Sequence, residues 1–445
     1  MNTTEILIST LQCIDNDAPR RTTRNTYYAG KQPLAYLAPE ARQAIGNRFS
    51  LINSNVCRVA VNALVERLRI TGFTGPQAIQ LWEDWRRNDL DQLAPVAHRE
   101  ALITGEAFVI VWADAAGNPQ VTIESAEQVA VQRHPATSMV TAAAKRIEYS
   151  DHTEAVLFLP DRIVKFRSEG IGAILHGFEV VETIDNPLGV VPVVPLRNTE
   201  RLAGLPASEL DDLLPLVDAQ SKLLADLMVA SEYSGRPRRW ATGVELEETE
   251  VVDEQGNPTG EVIETNPYPD SNRMMVAEQP EAKFGQLPAA DLAAYESGIR
   301  VLQAQISAVS GLAPHYLGVH GDQPASADAL RASEAALVAK VESRQATFGR
   351  AWEAVARLMV AVRTGAPVET VTVAVQWADA ATRSVAQEAD AVVKLVQAGI
   401  LPVTYALARL GYSDDEIRLI EQARRSDALQ AAGTNLAALL PKAAS

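Results

Sequence analysis

Leu292, Tyr295, Ile299, Leu302, Ile306 and Val309 recur at spacings of three and four, while Glu296, Arg300, Gln303 and Ser307 fall outside that stripe. Such a narrow seam predicts a helix over about 290–312 that packs along one line. A second stripe, Leu330, Leu337, Val341, Phe348, Trp352, Val355 and Met359, predicts one long helix from Ser326 to about 362. Ser326 is its N-cap, and Asp328 sits in its first turn, where negative charge is favoured. Between the two helices runs a stretch punctuated by Gly311, Pro314, Gly318, Gly321 and Pro324. Its glycines free φ and its prolines set its ends, so it reads as a moving loop.

Patterning elsewhere divides the chain. Residues 1–95 read as helical, with a break at Tyr27-Tyr28-Ala29-Gly30, an amphipathic run from Ser54 through Leu68 that stops before Gly72, and a short helix bearing Trp82 and Trp85. From Ala101 to Pro195 the pattern is mixed. Phe108–Trp112, Val129–Val131, Ala155–Leu159 and Arg162–Phe166 read as strands separated by turn signals such as Gly117-Asn118-Pro119. Next comes a helix over about 208–233, with Pro215 either near its start or kinking it. Residues 236–285 hold eleven Asp or Glu against five Lys or Arg, and the turn Gln255–Gly260 between two strand-like runs predicts a small β-hairpin module. Beyond Gly365, Thr370–Trp377 reads as a strand. Residues 384–426 read as short helices, one opening with the capping box Ser413–Glu416, before an Ala-rich tail expected to fray after Ala428. The fold class is therefore α+β, mainly helical, in the order helix, β module, helix, loop, long helix.

Composition narrows the function. The chain has 445 residues, 47% of them apolar, and a formal charge of −16. An acidic surface argues against tight, static binding to a phosphate backbone but lets DNA slide past. Cys13 and Cys57 make neither a disulfide framework nor a zinc site and fit a reducing compartment, with Cys57 in the core. The N-terminus lacks the pattern of a signal peptide, and no apolar run approaches a membrane span, so neither export nor membrane insertion is expected.

Catalytic motifs are missing. There is no phosphate loop, nucleophile elbow or zinc-protease helix, and Gly170-Ile171-Gly172 lacks the third glycine of a dinucleotide loop. No enzymatic activity, cofactor or metal is expected. His315 and His320 with Asp322 offer a poor metal set on a loop. Asp211-Asp212 reads as a favourable charge at a helix N-terminus. Arg236, Arg238 and Arg239 beside Trp240 form the one compact basic patch with an aromatic, read first as salt-bridging or solvated and second as touching phosphate.

In their order along the chain, several segments resemble the tailed-bacteriophage portal protein family. They are Tyr27–Gly30, Ala60–Val65 leading to Gly72-Phe73, Ala101–Phe108, Val191–Pro195 with Asn198, Ser310–Pro314, Leu317-Gly318, Pro324–Leu330 with Glu334, and Phe348–Trp352. The resemblance implies a wing over 1–206, stem helices over 207–233 and 288–312, a clip over 234–287 and a tunnel loop over 313–325. A long wing helix and strand over 326–380 and a crown with its C-terminal tail over 381–445 complete the plan. It further implies a homo-oligomeric ring of roughly twelve subunits, placed at the capsid vertex of the virion and assembled in the host cytoplasm. Double-stranded DNA would pass through it without sequence preference during packaging, head–tail joining and ejection. The implied partners are the large terminase subunit, the major capsid and scaffolding proteins, and head-completion adaptors.

Three residue sets carry the site expectations. His315, Tyr316, Gly318, His320 and Asp322 line the DNA channel. Leu292, Ile299, Leu302 and Ile306 join subunits, because the seam has more apolar edge than one hairpin partner needs. Arg238, Arg239, Glu245, Glu247 and Glu248 meet partners at the clip. The competing reading is a helical scaffold or adaptor unrelated to phage, which predicts a monomer or small oligomer without a pore.

Overall fold

A computed structural model of the chain describes residues 2–33, 54–199, 201, 206–235, 239–243, 247–252, 258–265, 281–286, 291–318, 326–381, 385–412 and 414–438. Helices hold about half of these. The chain divides into two compact units, Met1–Ala378 and Asp379–Ser445.

The first unit is layered. Helix α1 (Thr3–Ala29) begins where the Glu5 carboxylate accepts from the Asn2 backbone N–H at 3.0 Å. It ends at Gly30, whose φ of 69° is left-handed and whose missing side chain leaves room for Asn55. This is the break expected at Tyr27–Gly30. Leu7, Leu11 and Ile14, spaced by four and three, turn to one face of a five-stranded antiparallel sheet. That sheet has the order β4 (Val129–Arg133), β5 (Val140–Glu148), β6 (Thr153–Phe158), β7 (Arg162–Ser168) and β8 (Glu179–Asp185). On the α1 side it offers Ala130, Ala142, Ala144 and Ala155, small residues that let the helix lie close, with Leu157, Val164 and Phe166 around them. Alternate residues Val129, Ala143, Phe158 and Ile163 point the other way. They meet Phe108, Ile110 and Val193 of a second sheet, β3 (Pro119–Ser125), β2 (Glu106–Ala113) and β9 (Val193–Arg197).

Behind the second sheet lie α4 (Leu90–Thr104) and the long helix α8 (Ala335–Thr364), while α2 (Val56–Val65) and α3 (Ala78–Arg87) pack on α4. Strand β1 (Ile70–Thr74) pairs antiparallel with β14 (Ala374–Trp377), Phe73 opposite Val375. This ties the N-terminal helices to the far end of α8. Phe73, Trp85, Trp352, His98 and Phe348 form an aromatic core there, with Trp85 and Trp352 in edge contact at 5.0 Å between ring centres. Trp85, Phe348 and Trp352 are core residues, as their helical spacing implies.

A helical pair, α5 (Leu214–Gly235) and α6 (Leu292–Ser310), packs side by side, flanking the segment that contains the acidic module. In that module β11 (Glu247–Val252) and β12 (Pro258–Thr265) form the expected antiparallel hairpin, and β10 (Arg239–Thr242) pairs with β13 (Lys283–Gln286). The second unit contains α9 (Val385–Gln397), α10 (Val403–Arg409) and α11 (Asp414–Ala438).

Several expectations need correction. Of the two readings of Pro215, the one near the helix start holds: the helix begins at Leu214, later than 208, so the missing N–H of Pro215 falls in the first turn and costs no ladder bond. The helix expected to run unbroken from Ser326 is two, α7 (Ala327–Ser333) and α8, divided at Glu334. Ser326 does cap α7, accepting from the Ala329 N–H. The tail is helical as far as Ala438 instead of fraying after Ala428. Strands β1, β3, β5, β8, β9, β10 and β13 are additional to the expected ones, and β1 lies within the stretch expected to be helical. The alanines of β5 favour a helix in isolation, and packing against α1 overrides that preference. The box expected at Ser413 lies outside the described residues.

Candidate functional site

The foot of the expected loop is a folded structure. Helix α6 ends at Gly311, φ 76°, and its last turn is closed by its own serines. Ser310 Oγ donates to the Ile306 carbonyl, and Ser307 Oγ donates to the Leu312 carbonyl at 2.6 Å. Leu312 and Ala313 are buried, and Pro314 opens a short 3-10 helix, Pro314–Leu317, that stops at Gly318 with φ 73°. The first half of the predicted loop is therefore ordered by caps and burial. Residues 319–325, including His320 and Asp322, lie outside the described residues.

Four side chains from three parts of the chain meet at this foot. Arg67, just beyond α2, donates from Nη2 to the Tyr316 hydroxyl at 2.9 Å and to Glu334 Oε2 at 3.2 Å. The Tyr316 hydroxyl in turn donates to Glu334 Oε1 at 3.0 Å, and His315 Nε2 lies 3.5 Å from the same oxygen. Burial pushes the Tyr316 phenol up, Arg67 pulls it down and Glu334 pushes it up again, leaving it above its ordinary value. At neutral pH the hydroxyl thus keeps the proton it donates. Glu334 stands where α7 gives way to α8, so its carboxylate ties the helix break to the foot. His315 and Tyr316, expected to face DNA, are engaged within the protomer.

A second anchor lies about two to three turns further along, on α8. Arg344 is buried on the apolar stripe of α8 and donates to Glu209 Oε1 from Nε at 2.9 Å and Nη2 at 2.6 Å. Lys340 Nζ lies 2.6 Å from Glu209 Oε2, and Asn198 Nδ2 donates to Oε1 at 3.0 Å. Burial pushes the Glu209 carboxyl up, but Lys340 and Arg344 outweigh it and hold the group below its ordinary value. Lys340 also reaches the Ser310 carbonyl, at 3.4 Å. One buried carboxylate therefore connects the start of α8 with the chain entering α5, and its lysine partner connects both to the end of α6. Nearby, Asp211 takes a bidentate pair from the buried Arg24 at 2.9 and 2.7 Å. It is an inter-element ion pair where the sequence suggested only a helix-end charge.

On the seam of α6, Ile306 is buried, and Leu292, Ile299 and Leu302 are half-buried. Gly298, on the same face, has Leu223 of α5 3.2 Å from where a Cβ would stand. Part of the seam thus packs on α5, and part of it stays accessible. The exposed apolar positions of α6 are Val301 and Val309, 56% and 45% accessible. At the acidic module, Arg239 lies on β10 and Glu247 and Glu248 on β11, while Arg238 and Glu245 fall outside the described residues.

Sequence reasoning missed Arg67, Glu209, Lys340 and Arg344. Arg344 carried a usable signal: a charge at helical spacing between Val341 and Phe348 on an apolar stripe demands a buried partner. Arg67 carried none. Among the described residues no cluster of His, Cys, Asp or Glu could hold a metal ion, and no helix is long and apolar enough to cross a membrane.

The profile of the family described as "Phage portal protein, SPP1 Gp6-like" matches residues 10–430. The chain belongs to the phage portal protein family. Portal proteins are virion components and structural, which sets aside the scaffold unrelated to phage. Two relatives, each named "Portal protein", from Mycobacterium phages D29 and L5, are 30% identical over 94% of this chain and 87% of their own length. Among solved structures, this portal-family chain aligns with one from the virion of a native gene transfer agent particle at a TM-score of 0.47. A chain from the neck of that type of particle, computed with C12 symmetry, gives 0.48. Both are 13% identical, over 88% of this chain and 99% and 98% of theirs.

Proposed function

We propose that the protein assembles into a closed ring at the capsid vertex, and that its channel passes double-stranded DNA during packaging, head–tail joining and ejection. The observation that carries this reading is the family match across 10–430, which spans both units and every element of the helix–module–helix–loop–helix order. On this reading 1–206 and 326–380 are wing, 207–233 and 288–312 stem, 234–287 clip, 313–325 tunnel loop and 381–445 crown. The ring holds about twelve copies, in keeping with a heterologous contact whose rotation closes. A net charge of −16 keeps duplex DNA from sticking to the wall, since like charges repel and the 56 Asp and Glu outnumber the 40 Lys and Arg that would displace counterions. Terminase and head-completion proteins meet the clip, capsid and scaffolding proteins meet the outer surface, and assembly takes place in the host cytoplasm.

The foot built on Arg67, Tyr316 and Glu334 gives the loop a fixed base, so DNA contact belongs to the residues beyond Gly318. Electron microscopy of the purified full-length protein tests the reading. Rings with a central hole are expected; a uniformly monomeric protein at the concentrations of assembly overturns it.

A further inference from the structure

Among the described residues, strand β8 is the outermost strand of its sheet, and neither cover reaches it. The cores on both sides of the sheet contain residues of β4 to β7, with α1 on one side and the three-stranded sheet on the other, and none from β8. Val180 and Val181 are 55% and 64% exposed. A bulge opposite Lys165 and Phe166 inserts Val181, so two successive valines line one open cavity instead of pointing to opposite faces. That cavity, about 460 Å³, is also lined by Ser168, Ile174 and His176.

The charges on this edge are ordered. Register sets Lys165 opposite Glu182, 2.8 Å apart in an ion pair, and Arg167 opposite Glu179. Residues opposite each other share a face, so one face of β8 carries Glu179 and Glu182 beside a basic row on β7. The other face carries Val180 opposite Phe166 and Thr183 opposite Val164. Acids guard the edge against a second copy of itself: an antiparallel β8–β8 pair centred on Glu182 would set that carboxylate against its own copy, and like charges directly opposite are destabilising.

We infer that the β8 edge is a strand-addition site for an extended segment of another protein that alternates basic and aliphatic residues. Its lysines or arginines lie beside Glu179 and Glu182, and its aliphatic side chains lie beside Val180 and the cavity. Main-chain hydrogen bonds to an unpaired edge supply the general affinity, and the alternating side chains supply the choice of partner.

The test uses the full-length protein and two acetylated heptapeptides, one alternating Lys with Val and one alternating Glu with Val, followed by fluorescence anisotropy and amide exchange. The Lys–Val peptide is expected to bind at least about tenfold tighter than the Glu–Val peptide and to slow exchange at alternate amides of 179–185. Val181→Asp is expected to weaken it about tenfold with an unchanged melting temperature, and Glu179→Lys with Glu182→Lys, which gives up the ion pair with Lys165, to reverse the preference; both keep the sedimentation profile. The inference is overturned if neither peptide binds below about 1 mM, or if both bind equally. It is also overturned if 179–185 are already protected in the assembled protein alone, since another copy of this chain then covers the edge. The peptide-binding readouts do not depend on the ring, which is read separately by sedimentation.

Discussion

Trp352 on the long helix donates its indole N–H to Nε2 of His98 across 2.8 Å, in the middle of the first unit. His98 is fully buried, stacked on Phe348 with ring centres 5.4 Å apart. Because Nε2 accepts, the proton of the neutral ring sits on Nδ1. Burial pulls the imidazole down to about 3, against an opposing contribution from a hydrogen bond with the Leu68 backbone.

That pair sets an acid limit on stability. The folded value lies below the ordinary 6.5, so between pH 6.5 and about 3 the unfolded chain binds the proton and the folded chain does not. Stability from this group is complete above pH 6.5 and declines as pH falls toward 3, by at most about 5 kcal/mol. His98→Gln keeps an acceptor for Trp352 but does not titrate. Urea unfolding from pH 7 to 4 should show a shallower decline in the variant; equal slopes would discard the assignment.

The buried Glu209 balances two cations. Glu209→Gln should cost about 3–5 kcal/mol, because the buried Arg344 and its neighbour Lys340 lose the carboxylate they share. Glu209→Gln combined with Arg344→Met should recover part of that loss. Denaturant midpoints check this, and a double variant no better than the single one would count against the pairing.

Arg67 and Glu334 hold the foot of the loop. Arg67→Ala should lower stability by about 1–3 kcal/mol and speed amide exchange at Tyr316–Gly318 without changing the middle of α2. Exchange unchanged at Tyr316–Gly318 would show that the caps and prolines suffice.

On the ring reading, Val301→Glu and Val309→Glu should shift sedimentation from rings toward protomers while leaving helix content intact. Ile306→Asp should instead destabilise the α5–α6 pair itself. Identical behaviour of the two classes of variant would mean that the exposed positions of α6 do not join subunits.

Gly318 ends the 3-10 turn at a φ of 73°, which proline cannot adopt. Gly318→Pro should therefore let rings assemble but slow DNA packaging in vitro severalfold. Normal packaging by such rings would assign 313–325 a linking role only.

Much of the architecture was legible because it is local. The 3.6-residue stripes located α6 and α8, Gly30 and Gly311 ended helices by their freedom of φ, and short strand-like runs separated by turn signals marked β2, β4, β6 and β7. Composition and charge pointed to a structural protein past which DNA could slide. The order of short segments carried the resemblance to portal proteins that the family match bears out. The tertiary structure decided what depends on groups far apart in the chain. Sequence spacing cannot show that Arg344 meets Glu209, 135 positions away, or that Arg67 meets Glu334, 267 away. Nor can it tell which neighbour a stripe packs against. The α6 seam packs on α5 with Ile306 buried and Leu292, Ile299 and Leu302 half-buried, because a helix face records that it must be buried and not by whom. The break at Glu334 has the same origin: local propensity favours a continuous helix, and it gives way to a carboxylate held from outside by Arg67 and Tyr316.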